Sequence, residues 1–164
     1  MKLIFDSGPL IYLGKIKVLE KLSSFQNIIP QLVYEEVVEE GKKLGKEDAF
    51  YLEDLIKKKV FTVIKAKTII GSLPDENLSK ADQEVISLAK QERALAVIDE
   101  EIGRKIAEVI GVETLGSVGI LFNLLNKNLI TRHELKEYVE KMVSEGWFCS
   151  TTLYAKIIEE LNIW

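Results

Sequence analysis

Short apolar runs alternate with longer stretches of helical period, and that alternation restricts the chain to one broad architecture. Leu3-Ile4-Phe5, Ile28-Ile29, Ala94-Leu95-Ala96-Val97-Ile98 and Val112-Glu113-Thr114-Leu115 read as buried strands. Val60-Phe61-Thr62-Val63-Ile64 adds a fifth. Over 79–91, Val85, Ile86, Leu88 and Ala89 form an apolar stripe opposite Lys and Glu. Over 101–110, Ile102, Ile106, Ala107, Val109 and Ile110 do the same. Residues 31–43, 46–59, 117–127, 131–144 and 151–161 also carry helical period. Strands and helices in alternation imply an α/β fold of three layers, with a mostly parallel central sheet covered by helices on both faces. One domain, 1–164, is expected, with a helical C-terminal part from about 117 to 164.

Local signals agree. Ser79 stands three residues before Asp82, the spacing of a capping box. Asp99 precedes Glu100 and Glu101, a helix start with negative charge in the first turn. Pro9 and Pro30 suit first-turn or pre-helix positions. Thr131 is placed to cap the helix that contains the single histidine, His133.

Composition removes several function classes. The 164 residues carry 22 Lys+Arg against 26 Asp+Glu, a formal charge of -4. A strongly basic clamp for nucleic acid is therefore not expected. Hydrophobic residues at 47% are enough for a sizeable core and argue against disorder. One cysteine, Cys149, excludes an internal disulfide framework and a Cys-rich zinc site. No apolar run approaches a membrane span, and the opening Met1–Asp6 is too short in its apolar part for a signal peptide, so a cytoplasmic location is expected. The richness in Lys and Glu has a thermophile-like character.

The acids are unevenly chosen: 20 are Glu and only six are Asp. Two of the six, Asp6 and Asp99, directly follow apolar strands. In a parallel sheet both then stand at the carboxyl ends of strands, where open α/β folds bind ligands. Helices in such folds run antiparallel to the strands, so their N-termini lie at that same edge. Asp82 falls in the first turn of the helix before the 94–98 strand, and Glu36 falls early in the helix after Ile28-Ile29. Four carboxylates gathered at one edge repel one another unless a cation sits between them. Oxygen-only ligands favour Mg²⁺ or Mn²⁺, whose chemistry suits phosphodiester hydrolysis. Each acid also has a purely local reading. Asp6 or Ser7 could cap a helix entered through Pro9, Asp99 could be an N-cap, Asp82 a capping-box partner, and Glu36 part of a solvated face.

Taken in order, these segments resemble the PIN-domain nucleases. The pattern opens with a strand ending in Asp-Ser, here Leu3-Ile4-Phe5-Asp6-Ser7. It continues with a Glu-bearing helix, Val33-Tyr34-Glu35-Glu36-Val37, and an Asp-bearing helix, Asp82-Gln83-Glu84-Val85-Ile86-Ser87-Leu88-Ala89. It ends with a strand closing on Val97-Ile98-Asp99. The match is closest to a PIN-like branch of predicted nucleic-acid-binding proteins. In that branch the last acid leads into Asp99-Glu100-Glu101-Ile102-Gly103-Arg104-Lys105-Ile106-Ala107, followed by the turn Gly116-Ser117-Val118-Gly119. Leu129-Ile130, Gly146-Trp147-Phe148 and Ser150 to Tyr154 close the pattern.

The resemblance implies a Mg²⁺- or Mn²⁺-dependent endoribonuclease acting on single-stranded RNA, of a group that includes the toxins of toxin–antitoxin pairs. Asp6, Glu36, Asp82 and Asp99 would form the metal site and act as the catalytic residues. Ser7 would orient the first carboxylate, Glu84 is a second candidate beside Asp82, and Glu100 stands where many relatives place a polar residue. Glu35 competes with Glu36, since adjacent helical positions face about 100° apart. A homodimer through helices near residues 31–57, an antitoxin protein and an RNA substrate are the implied partners, with no membrane. Two other classes compete. One is a non-catalytic RNA- or protein-binding module, suggested by the negative charge and by arginine only at 93, 104 and 132. The other is a metal-dependent phosphatase for small substrates.

Several residues read as structural. His133 and Cys149 lack the partner pattern of a triad, and Cys149 reads as a buried small side chain. Trp147, Phe148 and Tyr154 read as packing or dimer-contact residues. The lysines at 42, 43, 57, 58 and 59 read as solvated helix ends. Gly8, Gly14 and Gly103 lack the spacing of a phosphate-binding loop. On this reading Asp6→Asn and Asp99→Asn abolish cleavage and leave thermal stability nearly unchanged.

Overall fold

A computed structural model describes residues 1–70 and 78–162. Asp75 lies outside them. The chain divides into two compact units, Met1–Ser117 and the part from Val118 onward.

The first unit is built on five parallel strands: β1 (Lys2–Phe5), β2 (Gln26–Pro30), β3 (Phe61–Ile64), β4 (Leu95–Val97) and β5 (Thr114–Leu115). Their spatial order is β3-β2-β1-β4-β5. Ile4 pairs with Ile28 on one side and with Ala96 on the other. From β1 the chain steps outward through β2 to β3, then returns to lay β4 and β5 on the opposite flank. The direction of winding thus reverses between β1 and β4, the place where such sheets open a crevice at their carboxyl edge.

β1 is the central strand, and its apolar run is the reason: Leu3, Ile4 and Phe5 are wholly buried. Phe5 meets Phe61 of β3 edge to face, ring centres 5.3 Å apart. Flanking the sheet are α1 (Ser7–Lys15), α2 (Gln31–Tyr34), α3 (Gly41–Lys43), α4 (Glu47–Lys57), α5 (Lys80–Glu92) and α6 (Glu101–Ile110), with a short 3₁₀ turn at Leu19–Leu22. The expected helix over 31–43 is continuous but not uniform. Between α2 and α3, Glu35–Glu40 is wound as a π-helix, which buries Val37 and Val38 and turns Glu36, Glu39 and Glu40 outward. Two adjacent valines between pairs of acids suit either winding, so the pattern carries no sign of it. Gly41 then lets α3 approach α4, because a Cβ there would stand 2.8 Å from Ala49 Cβ.

The lysine runs are helix ends in ion pairs. Lys42 reaches Glu53, Lys43 reaches Glu40 at 2.9 Å, and Lys58 reaches Asp54 at 2.8 Å. That gives Asp54 a role as a surface partner.

The second unit contains the rest of α7 (Ser117–Asn126), α8 (Arg132–Ser144) and α9 (Thr151–Leu161). Its core includes Leu121, Leu124, Leu135, Val139, Met142 and Ile157. Thr131 does cap α8, closing a capping box with Glu134. His133 is exposed in the first turn.

Two packing expectations change. The stripe on α6 runs through Gly103, Ile106 and Ala107, while Ile102 and Val109 face outward, Val109 with 79% of its surface exposed. A glycine had replaced an apolar side chain in the pattern, which shifted the inferred face. Cys149 is only half-buried, and of its neighbours Trp147 is buried and Phe148 is exposed.

Candidate functional site

The site begins with Asp6, held from both sides by the chain's own geometry. Its backbone N–H donates to Val97 O at 3.0 Å, fixing the end of β1 against β4 at the switch point. Its carboxylate Oδ1 accepts from the N–H of Ser7 at 2.8 Å, so Asp6 is the N-cap of α1. Ser7 in turn donates its hydroxyl to Glu36 Oε2 at 2.9 Å. Glu36 thus joins the site, while Glu35 accepts from Gln31 Nε2 one turn back. The π winding is the local reason that Glu36 is turned outward beside Ser7, and π turns are frequent at functional sites.

Asp82 arrives from α5. The capping box expected from Ser79 is present: the Ser79 hydroxyl accepts from Asp82 N and Asp82 Oδ2 accepts from Ser79 N, both at 3.1 Å. Glu100 arrives as the N-cap of α6. Asp6, Asp82 and Glu100 line one cavity of about 60 Å³, walled by Val85, Ile86 and Ile98. That space is far smaller than a nucleotide pocket.

The electrostatic consequence falls on Asp6. Burial pushes its carboxyl up to about 7, and the negative charge of Asp82 adds to this. The Ser7 amide pulls the other way, and Glu100 and Glu36 raise it further. Carboxylates from four separate chain segments therefore act on one another.

Asp99 is placed differently. It does not cap α6. Its Oδ1 accepts from Ser117 N at 2.7 Å and its Oδ2 from Ser117 Oγ at 2.6 Å, so it is clamped by the first residue of α7. Gly116 makes room for this: a Cβ there would lie 3.2 Å from Asp99 Oδ1. The carboxylate charges that act on Asp6 come from Asp82, Glu100 and Glu36.

Glu84 is not at the cavity. It is buried, and its two oxygens accept from Leu32 N at 2.8 Å and Ala66 N at 3.1 Å. Together with Ser87, which accepts from Ile70 N, and Gln91, which accepts from Lys67 N, it forms a row along α5 that holds residues 66–70. Glu84 stands two positions after Asp82 and so faces another way on the helix.

Hard carboxylate oxygens and a carboxyl raised by like charges suit a divalent cation. As the side chains stand, Asp6, Glu36, Asp82, Glu84 and Asp99 are each held by a donor of the protein. Among the described residues no three His, Cys, Asp or Glu side chains lie close enough to bind one ion in common. The sequence reading missed the clamp on Asp99. Its one signal in the sequence is the Gly116-Ser117 pair, which by itself reads as a turn.

An open parallel sheet with carboxylates converging at its switch point defines an α/β domain with an acidic candidate site; the nuclease-type, coarsely hydrolase, class comes with the family. A family model described as a PIN domain matches residues 2–163, and the chain belongs to that family. Among solved structures, a Pyrobaculum aerophilum protein is similar at 15% identity and a TM-score of 0.51, over 77% of this chain and 98% of that one. A domain of a functionally unknown protein from Methanocaldococcus jannaschii is similar at 22% identity and a TM-score of 0.49, over 70% of this chain and 89% of its own. A PilT N-terminus domain protein from Sulfolobus solfataricus is similar at 17% identity and 0.47, over 71% and 87%. No curated protein matches the chain. No helix among the described residues is long and apolar enough to cross a membrane.

Proposed function

We propose that the protein is a Mg²⁺- or Mn²⁺-dependent endoribonuclease that cleaves single-stranded RNA. One observation carries this reading: Asp6, at the switch point, has its carboxyl driven to about 7 by burial and by Asp82, Glu100 and Glu36. Such a cluster is destabilising in isolation and becomes favourable around a divalent cation. Asp6, Glu36, Asp82 and Asp99 would hold the ion, with Glu100 beside Asp6 at the same cavity. The ion would supply a Lewis acid for the phosphoryl group and an acidified water. The chain's part is to fix the carboxylates: the Ser7 amide orients Asp6, the Ser7 hydroxyl steadies Glu36, and Ser79 holds Asp82. Within the same reading, the role is that of a toxin held by an antitoxin protein, in a cytoplasmic homodimer.

The test is Mn²⁺ binding by calorimetry alongside cleavage of a generic single-stranded RNA. Binding and cleavage are expected for the native chain, and both are lost in Asp6→Asn. Cleavage that survives Asp6→Asn, or persists in excess EDTA, overturns the reading. The rival is a non-catalytic RNA- or protein-binding module, favoured by the separation of the acids from a common ligation point among the described residues. Tight RNA binding without product in Mn²⁺ would establish it. Turnover of a phosphomonoester but not of RNA would point to a phosphatase.

A further inference from the structure

The cavity at Asp6 encloses about 60 Å³, room for a few water-sized groups and far too little for a base or a ribose. A nucleotide that brings its phosphate to those carboxylates must therefore leave its sugar and base at the mouth. Among the described lining residues, two are exposed at that mouth, Glu100 and Ile102, both at the start of α6. Asp6 and Asp82 are half-buried, and the rest of the wall is buried and apolar.

The two exposed residues offer opposite surfaces. Glu100 is negative and repels a chain of phosphates. Ile102 is apolar, and 53% of its surface is exposed although it borders three carboxylates. The inward positions of α6 belong to Gly103, Ile106 and Ala107. Gly103 is what sets its neighbour at the mouth: a Cβ there would stand 3.1 Å from Ile98 Cγ2, so the bare glycine lets the first turn of α6 lie close against the end of β4. Val109 is also exposed, two turns further along α6, but it lines no part of this cavity. The aliphatic surface at the mouth is therefore local to Ile102.

We propose that Ile102 is a substrate-contacting residue: its exposed aliphatic surface receives the face of the nucleobase whose phosphate enters the Asp6 cavity. The inference rests on the ribonuclease reading and adds to it a contact that is neither ionic nor hydrogen-bonded. Two chemical consequences follow. The side chain has no donor or acceptor, so the contact reads no base edge. Its strength grows with the apolar area covered, so a purine gains more from it than a pyrimidine.

The experiment compares the native chain with Ile102→Ala, Ile102→Met and Val109→Ala on two fluorescent single-stranded RNAs, one all adenine and one all uracil. Ca²⁺ replaces Mn²⁺ for binding, and Mn²⁺ is used for cleavage. With about half of the side chain free to be covered, Ile102→Ala is expected to weaken binding of the adenine RNA by roughly five- to tenfold, and of the uracil RNA by less. The loss should appear mainly in KM. The dependence of log K on log salt should not change, because no phosphate contact is removed. Ile102→Met should keep most of the affinity, and Val109→Ala all of it. Mn²⁺ binding and Tm should hold in every variant, since both side chains are exposed. Unchanged binding and KM in Ile102→Ala, while the native chain cleaves, overturn the assignment and leave the ribonuclease reading standing. An equal loss for the two RNAs, or an equal loss in Val109→Ala, also overturns it. So does a loss of Mn²⁺ binding, or a change of oligomeric state in Ile102→Ala, which would show a metal-site or protein contact instead. A native chain that neither binds nor cleaves RNA overturns both readings.

Discussion

Removing the charge of Asp6 should stabilise the metal-free protein, although it destroys the site. The carboxyl is raised from an ordinary value of 3.8 to about 7. At ~1.4 kcal/mol per pH unit, that shift costs the folded state about 4 kcal/mol once Asp6 is ionised. Asp6 is partly exposed, and an amide has its own desolvation cost, so about 2–4 kcal/mol is the range to expect on replacement. Asparagine keeps the oxygen that accepts from Ser7 N–H and drops the charge that meets Asp82, Glu100 and Glu36.

The sign follows from proton counting. Below about pH 4 the carboxyl is neutral in both the folded and unfolded chain, and the penalty is absent. Between about pH 4 and about 7 the folded chain keeps a proton that the unfolded chain has lost, so this contribution to stability falls as pH rises. Above about 7 both are ionised and the penalty is complete. Asp6→Asn lacks this slope. Urea denaturation in EDTA at about pH 4.5 and about pH 8 should therefore show the variant gaining much more on the native chain at the higher pH. Adding Mn²⁺ at about a thousandfold its Kd should reverse the order, since such a ligand adds about 4.1 kcal/mol to the chain that binds it. A variant no more stable than the native chain at high pH in EDTA would refute the reasoning, and so would an equal gain at both pH values. The expectation that Asp6→Asn leaves stability unchanged is thereby replaced.

Two further substitutions separate holding from binding. Ser117→Ala removes the hydroxyl that donates to Asp99 Oδ2 and should cost about 1–3 kcal/mol in denaturant melts, with cleavage reduced rather than abolished. Glu84→Gln turns an amide NH₂ towards one of the two backbone N–H donors, Leu32 or Ala66, and should cost a similar ~2–3 kcal/mol; its Mn²⁺ affinity in calorimetry should match that of the native chain, because the side chain is spent on the 66–70 segment.

Most of the scaffold was legible because its signals are local and repetitive. Each of the five strands coincides with an apolar run, and α6 and α9 coincide with the periods read for them. The Ser79 and Thr131 caps were legible for the same reason: a side chain meeting an amide three residues on needs no tertiary information. What was not legible depends on distance in space. The π winding, the burial of Glu84 and the Ser117 clamp on Asp99 each involve a partner set by packing. Adjacent positions such as Glu35 and Glu36 were separable only once the Ser7 hydroxyl was placed.

A local role and a site role for an acid are not alternatives in this fold. Asp6 and Asp82 each turn one oxygen to a nearby backbone amide as a helix cap, and both also act on the carboxylate cluster. The coincidence has a geometric cause. In a parallel sheet crossed over by helices, the helix N-termini stand at the carboxyl edge of the strands, where ligands bind. A residue that caps there is anchored by the cap and aimed at the crevice by the same backbone. Aspartate serves both ends because its short side chain reaches a nearby amide, Ser7 one residue on from Asp6 or Ser79 three residues back from Asp82, without leaving the helix start. The preference for Asp at these places in a chain with 20 Glu is thus explained without assigning any acid to a single purpose. Glu84 supplies the contrast: two residues past a cap, its longer side chain points inward, and its charge is absorbed by backbone amides instead of the site.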